Sequence, residues 1–113
     1  MSKVEFWQRG EALDYTNSGN DTIEAGSVVV FGTRIGVAGC DIKPGATEPG
    51  SLHVEGVFSF AKSTSAAITA GAEVYFNATD GEITTTANGN TKAGYAVETA
   101  AKDATTVLVK INA

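Results

Sequence analysis

Hydrophobic and polar positions alternate most cleanly over residues 52–60. Leu52, Val54, Gly56, Phe58 and Phe60 fall on one face, and His53, Glu55, Val57 and Ser59 on the other. A period of two with polar residues outward predicts a half-buried antiparallel strand. At the end of the chain Val107, Val109 and Ile111 face one way, and Leu108 and Lys110 the other. Val28 to Phe31 is a continuous apolar run, which predicts a strand covered on both faces. Leu13 to Thr16 reads as a short strand, closed by the turn cluster Asn17-Ser18-Gly19-Asn20-Asp21. No stretch of about a dozen residues carries a helical period.

Asp80-Gly81 lies between two strand-like runs and predicts a hairpin with a two-residue loop. That loop pairs Ala78 with Ile83, Phe76 with Thr85 and Val74 with Ala87, and gathers a mostly apolar face. Asn88-Gly89 offers the next turn and leads into Lys92 to Val97. Asp41 to Gly50 reads as a loop, while residues 61–70 fit a helical turn or a loop. The fold class is therefore all-β: a small sandwich or barrel-like domain of about eight or nine short antiparallel strands. Residues 1–11 read as an extended N-terminal arm, and 12–113 as a single domain.

Inside that domain a phrase occurs twice. Ile23-Glu24-Ala25-Gly26-Ser27-Val28-Val29-Val30-Phe31 returns as Ile68-Thr69-Ala70-Gly71-Ala72-Glu73-Val74-Tyr75-Phe76. A second echo follows each copy, Thr33-Arg34-Ile35-Gly36-Val37-Ala38 and then Thr91-Lys92-Ala93-Gly94-Tyr95-Ala96. The same order in both places predicts two related β units. In each, the Ala-Gly pair precedes a strand, and its glycine supplies the positive φ of a tight turn.

Composition narrows the function classes. The net charge of −5 disfavours nucleic acid, whose phosphates need clustered Lys and Arg. No segment approaches the length of a membrane-spanning helix. The lone Cys40 has no intrachain disulfide partner, so a reducing interior is the default and a buried apolar role the expectation. The one histidine, His53, lies on the polar face of its strand and reads as a solvated imidazole. Gly89-Asn90-Thr91-Lys92-Ala93-Gly94 has the glycine spacing of a phosphate loop, but Tyr95-Ala96 stands where Lys-Ser/Thr is required. Asn77 to Glu82 lacks the alternating ligands of a calcium loop. No catalytic, cofactor-binding or metal-ligating residues are assigned, and no cofactor is expected.

Apolar surface is what these readings leave over. If Val29 and Phe31 point inward, as Val74 and Phe76 do, then Val28 and Val30 point outward and are candidates for a subunit interface. Phe6 and Trp7, in the arm, are candidates for docking on a partner.

Taken in order, a set of segments resembles the tailed-phage capsid cement, or head decoration, proteins. It comprises Trp7-Gln8-Arg9-Gly10, Leu13-Asp14-Tyr15-Thr16, the two Ile-x-Ala-Gly-x-x-Val phrases and Val54-Glu55-Gly56-Val57-Phe58. It continues with Gly71 to Phe76, Thr84-Thr85-Thr86, Gly94 to Glu98 and the ending Val107 to Ala113. Members sometimes carry a recombinase label, against which the missing phosphate loop and the acidic balance both argue. The Ile-x-Ala-Gly turn is also similar to that of β-clip domains, a likeness of fold only. The resemblance implies a virion protein on the outer capsid surface, present in host cytoplasm before assembly. Its partners would be the major capsid protein and further copies of itself, a trimer being favoured over a dimer. It would bind the expanded head and stabilise contacts between capsomers, with Phe6 and Trp7 as the capsid-binding candidates. The alternative is a β-rich ligand- or carbohydrate-binding module using Trp7, Tyr15 and Tyr75 as stacking groups.

Overall fold

A computed structural model describes residues 3–6, 9–45 and 49–113. Among them the secondary structure is all strand, in two open antiparallel sheets. The first sheet holds β1 (Ala12–Tyr15), β2 (Val28–Phe31), β3 (Arg34–Ala38) and β4 (Gly50–His53) in the order β1-β4-β3-β2. The second holds β5 (Val57–Ala61), β6 (Glu73–Asn77), β7 (Glu82–Thr84), β8 (Thr91–Ala96) and β9 (Thr106–Ile111) in the order β5-β9-β8-β6-β7. The all-β class holds and sandwich-like packing is compatible with it, but neither sheet closes into a barrel.

The duplication reaches further than the repeated phrases. Leu13 pairs with Leu52 as Phe58 pairs with Val109, and Tyr15 with Gly50 as Phe60 with Val107. Ala38 opposite Leu52 matches Ala96 opposite Val109. Hence β1, β2, β3 and β4 correspond to β5, β6, β8 and β9 in the same sheet order, with a bulge between Val74 and Tyr75 shifting part of the β6–β8 register, and β7 is an addition. Both Ile-x-Ala-Gly turns are wired alike. Gly26 N–H donates to Ala38 O and Gly71 N–H to Ala96 O, each at 2.7 Å. Ala25 N–H donates to the Asp41 carboxylate at 2.8 Å, and Ala70 N–H to the Thr99 hydroxyl at 3.0 Å. Gly26 and Gly71 sit at φ 85° and 87°, where a Cβ would be strained.

The same correspondence holds for the buried polar groups. Asn17 and Lys62 stand at matched positions just after the first strand of their respective copies, and both are buried. Asn17 Nδ2 donates to Asp21 O and Ile42 O. Lys62 Nζ donates to Ser63 O, Lys102 O and Ala104 O. Each side chain pins nearby loop carbonyls, with about 1 kcal/mol per bond from the amide and more from the charged Lys62.

The main core lies between the sheets and draws on both copies. Ile35 and Val37 of β3 pack with Val74, Phe76, Ile83, Val107, Val109 and Ile111. Asn112, following β9, donates from Nδ2 to Ile35 O and Val54 O, both at 2.9 Å, and so ties the end of the second sheet to the first. The other face of the first sheet buries Val29, Ala38, Ile42 and Leu52.

Several expectations are corrected. Residues 52–60 are two strands in different sheets, separated by Val54–Gly56 with Gly56 at φ 120°. The alternation survives because the chain crosses between sheets while Leu52 and Phe60 each remain buried. The β6–β7 hairpin pairs Phe76 with Ile83 and Asn77 with Glu82, leaving a four-residue loop, Ala78 to Gly81. Asn77 Oδ1 accepts from the Thr79 and Asp80 N–H groups, and its Nδ2 donates to the Asp80 carboxylate, which stabilises the longer loop. The register differs from expectation by two residues, so the inward face is unchanged. Residues 61–70, read as a helical turn or a loop, follow the second reading after Ala61 ends β5, with turns and bridges and no helix. Cys40 is exposed, because it lies in the bend between Ala38, which ends β3, and Ile42, and these two take the buried positions.

Candidate interaction surfaces

The arm residues Lys3 to Phe6 form no strand and all are exposed, Val4 at 95% and Phe6 at 85%. Trp7, the second candidate of the arm, lies outside the described residues.

Strand β2 departs from expectation. Val28 stands opposite Val37 and Val30 opposite Ile35, and directly paired residues share a face. Val28 and Val30 are therefore on the side of the main core, and Val29 is on the other. Val28 packs against that core and is not outward, whereas Val30 remains 39% exposed. The analogy with β6 failed because Val29 and Val74 face different cores. Covering on both faces holds at the start of β2 and lapses toward Phe31, which is half-buried.

Backbone hydrogen bonding on β2 is one-sided. Gly32-Thr33 closes a two-residue hairpin to β3, with Phe31 opposite Arg34. Ala38 N–H donates to Ser27 O, which marks Val28 and Val37 as a non-hydrogen-bonded pair. Val28 and Val30 therefore direct their N–H and C=O groups away from β3, toward an edge that no described strand covers. Sequence reading missed this edge, although Gly32-Thr33 is a recognisable hairpin signal.

Between the sheets runs a cleft of about 510 Å³, lined by Val28, Val37, Phe58, Phe60 and Phe76 together with small residues. Tyr15 and Tyr75 stand on β1 and β6, in different sheets, and neither lines this cleft. Such dispersal speaks against a shared stacking platform. His53 sits on β4 with its ring 6.2 Å from that of Phe58. Among the described residues no group of three or more His, Cys, Asp or Glu side chains could hold a metal ion. The Lys92–Glu73 ion pair, at 3.5 Å, is solvent-exposed and contributes under about 1 kcal/mol.

The fold and its surfaces amount to a duplicated all-β scaffold with exposed apolar residues and, among the described residues, an open edge on β2. Its family is specific: the family model for phage cement proteins matches residues 7–111, and the chain belongs to that family. Its role is accordingly structural and its place is the phage capsid. No curated protein and no solved structure matches the chain.

Proposed function

We propose that the protein binds the outside of the expanded head and stabilises contacts between neighbouring capsomers. Membership of the cement family over nearly the whole chain carries this reading. Phe6 and Trp7 contribute to attachment, and the β2 region with Val28 and Val30 serves association between copies, a trimer being favoured over a dimer. The partner is the major capsid protein, and before assembly the protein resides in host cytoplasm. The exposed arm supports this reading, since an extended segment can dock by adding a strand to a sheet. So does the net charge of −5, which suits a surface turned away from packaged nucleic acid.

The test is occupancy. Purified protein is mixed with expanded and with unexpanded heads and co-sedimented. Saturable binding to expanded heads and little to unexpanded ones is expected, whereas equal binding to both would refute lattice recognition.

A further inference from the structure

The duplicated fold contains a comparison that bears on β2. In the second copy, β6 has β8 on one side and β7 on the other. In the first copy, β2 has β3 on one side and no described strand in the position of β7, because the chain turns from Phe31 to Arg34 through Gly32-Thr33 alone. The matched side chains differ in burial as well. Phe76 is 8% exposed with Ile83 of β7 opposite it, whereas its counterpart Phe31 is only half-buried. Tyr75 directs its edge toward Thr84 of β7, and its counterpart Val30 is left 39% exposed.

The missing strand has a definable chemistry. Strand β7 is Glu82-Ile83-Thr84, an apolar residue between polar ones, and Ile83 is fully buried. The arm repeats that pattern in Lys3-Val4-Glu5 and continues to Phe6, with both apolar side chains exposed. The chain's own arm does not occupy that position, since Val4 is 95% and Phe6 85% exposed. It enters at β1, the opposite edge of the first sheet from β2, and Glu11 O accepts from Val54 N–H at 2.9 Å. A strand beyond β2 lies four strand spacings from β1, about 19 Å. The five links from Phe6 to Glu11 span at most about 18 Å when fully extended, so Phe6 of the same chain falls short of that position.

We infer that the outer edge of β2 accepts the N-terminal arm of a second copy of this chain, which lies beside β2 as β7 lies beside β6. Val4 or Phe6 of the donor covers Phe31, and donor backbone groups pair with those of Val28 and Val30. The contact is heterologous, arm to edge, and closes into a ring when each copy both gives and receives. The inference rests on the proposed function only in treating residues 3–6 as a contact element. Attachment to heads would then depend on the arm through the valency of the ring.

Light scattering on the free protein, without heads, separates the two readings. The full chain should be oligomeric, and removal of residues 2–6 should lower its mass at least about two-fold, to a single chain. In a Cys40→Ser background, Val4→Cys or Phe6→Cys protein mixed with Phe31→Cys protein should form a disulfide between chains on mild oxidation. Both results are required. A monomeric full chain, an unchanged mass after arm removal, or no cross-link from either arm position overturns the inference. So does a disulfide within one chain carrying both cysteines, or efficient homodimer formation by Phe31→Cys alone, which would mean that β2 edges pair with each other. If arm removal abolishes attachment to expanded heads without changing the mass, the capsid reading stands and this inference falls.

Discussion

Two glycines at matched positions show how much a single residue is asked to do in each copy. Gly36 lies opposite Val29 on β3, and Gly94 opposite Val74 on β8. A Cβ at Gly36 would lie 2.5 Å from Cγ of the buried Leu52, a side chain rather than backbone. At Gly94 it would collide with the Lys110 carbonyl on β9, and the backbone there is at φ 147°. The fixed partner and the strained backbone make the second site the harder one. Gly36→Ala should cost about 1–3 kcal/mol through overpacking, and Gly94→Ala about 3 kcal/mol or more through displaced strand backbone. Urea unfolding of both variants measures the difference; equal costs would mean that β8 and β9 separate easily.

At the scale of elements, burial of Ile83 competes with turn preference in setting the β6–β7 register. Asp80-Gly81 alone would close a two-residue loop with Ala78 opposite Ile83. The chain instead places Ile83 opposite Phe76, because Ile83 then enters the main core and Asn77 can cap the longer loop. Deleting Ala78 and Thr79 leaves Asp80-Gly81 as a two-residue loop between Asn77 and Glu82. The shortened hairpin should keep Phe76 opposite Ile83, with stability within about 1 kcal/mol of the parent. Cross-strand proton contacts read the register, and a shift of pairing after the deletion would show that the turn is in command.

The same competition explains what was legible in the sequence. The Ile-x-Ala-Gly turns could be seen because a positive φ restricts the residue type, so identity persists between copies. The equivalence of β1 with β5 could not. Leu13 and Phe58, or Tyr15 and Phe60, need only be apolar and inward. The break at Val54–Gly56 was hidden because both flanking strands bury residues of the same parity. The outward placement of Val28 failed for a further reason: local pattern does not say which of two cores a strand face meets. The arm candidate Phe6 was visible as an aromatic ahead of the first turn signal. The open edge of β2 needed the topology, since it is defined by the lack of a strand that the other copy has.

On the scale of the whole molecule, a cement protein that binds only the assembled lattice stabilises it by mass action. The stabilisation per site grows with the logarithm of free protein over its dissociation constant. Below that constant, added protein should leave the disassembly temperature of expanded heads unchanged. Above it, each tenfold increase in free protein should add about 1.4 kcal/mol per site, and the disassembly temperature should climb linearly with log concentration. Phe6→Ala removes an exposed aromatic from the arm, outside the packed core. It should displace the rise to higher concentration and leave its slope unaltered, because the variant binds more weakly but by the same linkage. Calorimetry of heads across a series of free protein concentrations gives both quantities. A plateau as soon as the sites are stoichiometrically filled would instead indicate an irreversible lock, and an unshifted curve for Phe6→Ala would remove the arm from the binding reaction.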